Sequence, residues 1–556
     1  MGIKDINGFL HPNEKYIEDP HLFENIDTAK NILVKHLLKN HDISLLVDCD
    51  CDGYSSASII YQYIKNLFPN INIKVYIHND KQHGLRDVID EMIEDNSKLI
   101  IVPDAGTGDE NECNKLHAAE KEVLILDHHD VSPQNSPATI VNNQLSSNIT
   151  DKAMTGVGIV YKFIKVLDEY FNVSYANSYL DLVAFGMIGD RADITNLQTR
   201  FYVLNGLKQL RNKGGKNLLL KTFVEKQMYS MNYKITINGI GFYVCPLMNS
   251  LIRFGSIEDK RYMFEALCNS NKKIVRKVRG KGDVLMSIQE YVLRACESSN
   301  RKQKSITEKC SNLLIEQIEN HDMDKLPIIV CNAGNEVDSN STGLIANRLA
   351  DVYQRPCLLM RKIGNVCKGS GRGSDKCDIL NFNQWCKNTK LFELVEGHAN
   401  AFGSKIKIEN TGRLIDLIHL MPKINEPTYL VYGEYNDKTI NDTLIKNIAK
   451  HDDIWGNTVN EPLFCIKEIR CNKHNIYLLG KKQNRIEFMF HNIKFVKMTK
   501  GSSLLKAYKE IMSVGETIKF TIIGKFQLDY KKKKNAQVII EDWVFEKSEV
   551  MNIFGV

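Results

Sequence analysis

No stretch of this chain approaches the ~20 consecutive apolar residues of a membrane span. Its first residues, Met1-Gly2-Ile3-Lys4-Asp5, lack the apolar core of a secretory signal. These absences lead to the expectation of a cytoplasmic protein with no membrane partner. A paired CxxC framework is missing too. The 14 cysteines are scattered, so reduced thiols are expected, and Cys113, Cys245, Cys296 and Cys310 read as small core residues. Nor is there a strong excess of one charge: 73 Lys and Arg face 67 Asp and Glu, for a net charge of +6. That balance permits an acidic polymer as partner without requiring one. What remains is ordinary globular composition, 43% hydrophobic and 25% charged, in 556 residues. At ~150 residues per domain that is room for three or four domains. A monomer is expected.

One stretch organises the chain. The apolar run Ser44-Leu45-Leu46-Val47 ends in three aspartates at alternate positions, Asp48, Asp50 and Asp52. Gly53 follows, then an apolar helical pattern through Leu67. The pattern predicts a buried strand, a turn and a helix. In an extended segment, residues two apart share a side, so the three carboxylates would converge at the strand's carboxyl end. Open α/β sheets place ligands there. Such a concentration of negative charge calls for a cation. An acidic turn with solvated carboxylates is the plainer alternative. The same alternation turns Cys49 and Cys51 away from the aspartates and argues against either as a soft ligand or nucleophile.

The pattern repeats downstream. A strand over 71–77 leads through His83-Gly84-Leu85 to a helix over 86–95. A strand over 98–102 ends in Pro103-Asp104-Ala105-Gly106, and one over 122–126 ends in Asp127-His128-His129. Glycines at 156 and 158 open a further helix. An apolar helix over 179–185 leads to Gly189-Asp190-Arg191-Ala192-Asp193, where Asp193 is a substitute for Asp190 or a helix cap. Strands alternating with helices at this spacing predict a parallel, doubly wound α/β sheet. Acidic or imidazole groups at several strand ends make a shared site a better reading than coincidence. Hard oxygen ligands with one imidazole suit Mn²⁺ or Mg²⁺.

These segments stand in the order of the four motifs of DHH-family phosphoesterases, and the chain most resembles the RecJ type of single-stranded DNA exonuclease. Val141-Asn142-Asn143, Thr155-Gly156-Val157-Gly158 and a connector segment with Ile240-Gly241-Phe242, Pro246 and Asn249 add to the likeness, which spans about residues 44–403. The resemblance implies two divalent cations, Mn²⁺ or Mg²⁺, with Asp50 and Asp52 on different ions and Asp104 bridging them. His128 and Asp190 would complete the second ion's shell. Asp48 would add a ligand or orient water, Asp127 would orient the imidazoles, and His129 would touch the scissile phosphate. It further implies 5′ to 3′ hydrolysis of single-stranded DNA to nucleoside 5′-monophosphates in recombination, repair or replication. A single-strand-binding protein or other replication and recombination factors are candidate partners.

Four domains follow from that likeness: a DHH catalytic domain over 1–200, a helical connector over 201–325, a DHH-associated substrate-binding domain over 326–425 and an OB-like β-barrel over 426–556. Basic residues cluster in the connector at Lys272, Lys273, Arg276, Lys277, Arg279 and Lys281, and again at Arg301, Lys302 and Lys304, either as a solvated helix face or as a groove wall for a phosphate backbone. In the third domain, Ser370, Arg372 and Ser374 in a glycine-rich loop, with His398, are the expected substrate contacts. Gly373 replaces a serine common in RecJ proteins. In the last domain Tyr477, Phe488, Phe490, Phe495 and Tyr530 could stack bases, and the lysine run 531–534 could meet phosphates. Two other readings stand beside the exonuclease. One is a DHH phosphodiesterase for short oligonucleotides or cyclic dinucleotides, whose usual members lack the connector and barrel. The other is a non-catalytic nucleic-acid-binding scaffold, which would need lost ligands.

Overall fold

Five short apolar strands open the chain: β1 (Ile43–Val47), β2 (Ile73–Ile77), β3 (Leu99–Pro103), β4 (Glu122–Asp127) and β5 (Thr139–Asn142). In the computed structural model they form one parallel sheet of order β2-β1-β3-β4-β5. The structure describes residues 3–79, 82–130, 135–212, 215–278, 280, 282–334, 337, 341–374, 376–422, 428–499, 504–529 and 534–547. Strand alternation divides the apolar side chains between two cores. Leu99 and Ile101 join Leu45 and Val47 beneath the helices Cys51–Leu67, Gly156–Phe171 and Leu180–Gly189. Ile100 and Val102 join Leu46 on the opposite face, against Met92, Cys113 and Leu116. The expected doubly wound sheet is therefore present, with both faces covered.

The amino-terminal edge of this sheet is closed by one carboxylate. Asp95 accepts from Ser44 Oγ (2.5 Å), Tyr76 Oη (2.7 Å), Ser97 N (2.9 Å) and Lys121 Nζ (2.9 Å). Burial works against its charge, but these donors outweigh it and hold the carboxyl below its usual range.

After the sheet come the helices Leu197–Arg211, Leu218–Gln227, Cys245–Phe254 and Ile257–Leu267. The basic cluster expected on a helix lies instead on a hairpin of β6 (Lys273–Val278) and β7 (Gly282–Ser287). Charge spacing does not distinguish a helix face from a strand. Here alternation buries Ile274, leaves Lys273 and Lys277 exposed, and lays Arg276 on the Tyr291 ring. Arg279 and Lys281 lie outside the described residues. The helix Ile288–Asn320 follows and carries Arg301, Lys302 and Lys304.

The chain divides into two compact units. The first comprises Met1–Asn300, Ala449–Glu461 and Asp529–Lys534; the second comprises Arg301–Ile448, Pro462–Leu528 and Asn535–Val556. In the second unit, β8 (Ile329–Asn332), β9 (Cys357–Ile363), β10 (Val366–Arg372), β11 (Phe392–His398) and β12 (Ala401–Lys407) form a mixed sheet of order β11-β12-β10-β9-β8. The glycine-rich stretch read as a loop is strand β10 as far as Arg372. Its glycines answer to crowding, since a Cβ at Gly369 would lie 2.0 Å from the Leu359 carbonyl oxygen and one at Gly371 2.3 Å from the Phe402 ring.

The remaining strands are β13 (Val431–Asn436), β14 (Leu463–Asn472), β15 (Ile476–Leu479), β16 (Arg485–Phe490), β17 (Ile493–Met498), β18 (Thr517–Asp529) and β19 (Asn535–Lys547). They pair in the order β13-β14-β18-β19-β17-β16-β15. This is the strand-rich module expected at the carboxyl end, and closure into a barrel is not part of the described pairing. Phe488 and Phe495 stack on one another with centroids 5.1 Å apart and are fully buried, so they serve the core, not bases. Tyr477 is exposed and Phe490 half-buried. Tyr530 and residues 531–533 lie outside the described residues.

Asp95→Asn tests the closed edge of the first sheet. It leaves the buried Lys121 ammonium without a counter-charge and should cost about 3 kcal/mol at pH 7. A depressed carboxyl pKa contributes stability above the unfolded value of about 3.9 and loses it as pH falls through the folded value. The gap between parent and variant in urea unfolding should therefore be full at pH 7 and narrow below pH 4.

Candidate metal centre

The loops at the carboxyl ends of β1, β3 and β4 and the end of the Leu180–Gly189 helix meet at one place. Asp48, Asp50 and Asp104 each bring an oxygen within 4.8 Å of the others, and Asp52, His128 and Asp190 do the same with their ligand atoms. All seven residues expected to be catalytic, His129 included, lie in this neighbourhood of the first unit.

The geometry of the first three differs from the expected extended segment. β1 stops at Val47, and Asp50 is the N-cap of the Cys51–Leu67 helix, accepting from Asp52 N (2.8 Å) and Gly53 N (3.0 Å). Helix capping wins here over strand continuation. Asp52 then sits in the first helical turn, where Val157 N donates to its Oδ1 (3.0 Å). The cysteines are set aside for a different reason from strand alternation. Cys51 Sγ donates to the Cys245 carbonyl (3.7 Å) and to Asn249 Oδ1 (3.4 Å). Cys49 lies with Asp48 and His83. Burial pushes the Cys49 thiol up, and a hydrogen bond with Cys245 together with burial does so for Cys51, which disfavours both thiolates.

Asp104 has φ +67°, a left-handed conformation that costs a non-glycine residue about 1 kcal/mol. Its Oδ1 lies 3.4 Å from His128 Nε2, and Asp190 Oδ2 lies 3.7 Å from the same nitrogen. Two glycines make room for the acids: a Cβ at Gly156 would fall 2.2 Å from Asp104 Oδ1, and one at Gly186 2.6 Å from Asp52 Oδ1. Asp127 accepts from His128 N (2.7 Å), Thr107 N (3.0 Å) and His129 Nδ1 (2.8 Å). Burial opposes the Asp127 charge, but these bonds and the two histidines hold its pKa low. Burial likewise opposes the His129 cation, but Asp127 outweighs it and raises the pKa to about 9.

Electrostatically, four of the five remaining acids are pushed toward the neutral form. Burial and then the Asp50 charge raise Asp52 to about 7. Burial, followed by neighbouring carboxylates, also raises Asp50, Asp104 and Asp190. Asp52 Oδ2 and Asp104 Oδ1 are buried without a hydrogen-bond partner. Buried oxygens of this kind are costly unless something positive meets them. A pair of oxygen-preferring divalent cations fits this donor set, and a thiolate metal site does not.

Two nearby residues were not read as site residues from the sequence. His83 Nδ1 bonds Asp48 Oδ2 (2.7 Å), and the hydrogen bonds with Asp48 and Cys49 raise its pKa to about 11. The signal available was a histidine in the loop after a parallel strand. Arg253 is half-buried one turn beyond Asn249 on the Cys245–Phe254 helix, in the field of Cys49, Cys51 and Asp50. Its spacing of four from Asn249 placed it on the same helical face.

In the second unit, Arg372 and His398 both pair with Ala401 from opposite sides. They share a face about 10 Å apart across two strand spacings. Ser370 lies on that face and its Oγ is 3.0 Å from Thr342 Oγ1 at the start of the helix Thr342–Tyr353. A Cβ at Gly343 would meet Arg372 Nη2 at 2.5 Å, so the guanidinium lies over that helix start. Ser374 stands beyond the strand, where its Oγ accepts from Lys376 N (3.3 Å). An arginine and a serine beside a helix N-terminus make a site for an anion.

The chain belongs to the DHH family, whose N-terminal domain description matches residues 42–187. Within that family it is RecJ-like. It is 34% identical over 549 residues, 97% of this chain and 93% of the relative, to YorK of Bacillus subtilis (strain 168), an SPbeta prophage-derived protein whose name proposes a single-strand DNA-specific exonuclease. It is 22% identical to the single-stranded-DNA-specific exonuclease RecJ of the same organism, over 75% of this chain and 49% of that one. Among solved structures, RecJ of Thermus thermophilus in complex with Mn²⁺ matches with a TM-score of 0.73 at 17% identity, over 97% of this chain and 74% of the other.

Removing one acid should separate stability from ligation. Asp104→Asn is expected to melt at or above the parent's temperature in EDTA, because it deletes a buried, repelled carboxylate. The stabilising shift that Mn²⁺ gives the parent should be largely lost in the variant. Differential scanning calorimetry with and without Mn²⁺ reads both.

Proposed function

We propose that this chain is a divalent-cation-dependent exonuclease for single-stranded DNA. The observation that carries the reading is the pair of buried ligand clusters with unsatisfied oxygens, in a chain RecJ-like along nearly its whole length. Asp48, Asp50 and Asp104 would hold one ion, and Asp52, Asp104, His128 and Asp190 the other, with Asp104 shared. When bound, such ions supply an activated water and offset charge on the phosphate in the transition state.

The protein's own residues do the remaining work. Asp127 binds His129 Nδ1, and the ring is half exposed. Asp127 favours the cationic form of His129, which would contact a phosphate oxygen. His83 holds Asp48 in place through a charge-assisted hydrogen bond. On the second unit, Arg372, Ser370 and His398 would bind a phosphate of the strand, with Ser374 at the strand end as a further hydroxyl contact. No side chain is used as a nucleophile, so no covalent intermediate is expected. Degradation from the 5′ end to nucleoside 5′-monophosphates is part of the proposal, as is binding of longer strands by the carboxyl-terminal sheet. Every ligand position is filled, which speaks against a non-catalytic scaffold.

Single-stranded DNA and RNA, each labelled at either end, incubated with Mn²⁺ or Mg²⁺, test the reading. Mononucleotide released at once from 5′-labelled DNA is the expected result. Early release from the 3′ label would reverse the polarity, and no DNA cleavage with either metal would sink the proposal. Arg372→Ala should raise KM for DNA by about tenfold or more, the loss expected of a charged hydrogen bond. Its Mn²⁺ titration should match the parent's.

A further inference from the structure

Residues Ala449–Glu461 belong to the catalytic unit, although the residues on either side of them in sequence belong to the other. Val459 is buried, and Ile454 and Trp455 pack against the apolar core that holds Val157 and Ile188. Arg200 Nη1 donates to the Ile454 carbonyl (3.4 Å), Arg211 pairs with Asp453 (2.8 Å), and Lys234 pairs with Asp452. Gly456 and Val459 exchange backbone hydrogen bonds of 2.9 and 2.8 Å, closing a turn with Asn457 and Thr458 at its tip.

That tip grips the segment carrying Asp190. Asn457 Nδ2 donates to the Met187 carbonyl (3.3 Å) and to the Ala192 carbonyl (3.1 Å). Thr458 Oγ1 donates to Asp193 Oδ1 (2.6 Å) and accepts from Ile194 N (3.2 Å). The helix Leu180–Gly189 ends in a turn in which Arg191 N reaches the Ile188 carbonyl (3.2 Å) and Ala192 N the Met187 carbonyl (2.9 Å). Asp190 lies inside that turn, and the two carbonyls bound by Asn457 lie at its two ends.

We propose that Asn457 is a positioning residue for metal binding, stapling the turn that aims Asp190 at His128. The inference rests on the reading of Asp190 as an ion ligand. A side-chain amide has two N–H groups, and here each meets a carbonyl at the frayed end of a helix. The turn needs an outside hold because Arg191 has φ +60°, which favours relaxation. A staple that fixes both ends of the turn keeps the Asp190 carboxyl 3.7 Å from His128 Nε2. A truncation made just before this segment would remove part of the catalytic unit with it.

The test uses the full chain. Asn457 has φ +46°, so Asn457→Gly removes the amide without backbone strain. Asn457→Asp keeps the shape but turns an acceptor toward two carbonyls. Mn²⁺ binding without DNA is measured by electron paramagnetic resonance and calorimetry, with melting temperature as control. Both variants should lose about tenfold or more in affinity for one of two ions, keep the other, and melt in EDTA near the parent. Exonuclease activity should fall at low Mn²⁺ and recover at high Mn²⁺. Asp190→Ala is run beside them. If it keeps both ions, the reading of Asp190 itself fails. If it loses one ion while both Asn457 variants bind like the parent, the staple alone fails. Equal weakening of both ions with a lowered melting temperature would also overturn it, showing a general structural role.

Discussion

Mutual repulsion among buried carboxylates is the constraint on which the catalytic unit depends. Asp50, Asp52, Asp104 and Asp190 are all pushed toward the neutral form by burial and by neighbouring carboxylates. A fold can carry such a cluster only if the rest of it over-determines the positions of these groups. The parallel sheet does so by ending three strands at one place. The Cys51–Leu67 helix adds backbone N–H groups at Asp50. Gly156 and Gly186 yield the space that side chains would fill. Asp127, by contrast, is kept ionised by the histidines and backbone donors around it, so one acid of the neighbourhood serves orientation while the others serve charge.

Much of this was legible in the sequence, for a physical reason. Apolar runs of five or six residues that stop abruptly in Asp or His leave few alternatives to strand ends in a parallel sheet. The first sheet and its alternation with helices follow from that pattern; the seven residues around the site were expected from it together with the family resemblance, since Asp190 ends a helix and not a strand. The local geometry did not. Alternate aspartates look alike whether the strand continues or a helix begins, and the capping bond of Asp50 decides the matter. Gly369 and Gly371 have the composition of a loop, yet neighbouring backbone and a phenylalanine ring require them in a strand. Phe488 and Phe495 could have been stacking residues or core, and only burial separates the two.

What stayed hidden arises from long-range contacts. His83 is one histidine in a polar loop until Asp48, 35 residues away, is placed beside it. Asn457 is one of many asparagines until it is found 265 residues from the carbonyl of Ala192. No periodicity or motif reports such pairs, because neither partner changes the local pattern in which it sits.

The two units use charge in opposite ways, and the difference follows from what each must meet. Acids in the first are crowded together with few histidines to offset them, and two of their oxygens are buried without a hydrogen-bond partner, so they suit small multivalent cations. The face of β10, β12 and β11 instead sets Arg372, Ser370 and His398 beside a helix start, a preorganised positive field for an anion. A phosphodiester suits each surface taken by itself: its anionic oxygens match Arg372, Ser370 and His398 on the second, and would suit cations that the acids of the first would hold. A neutral ligand would satisfy neither. Each surface thus favours an anionic ligand over a neutral one, the second directly and the first only through cations that its acids would hold.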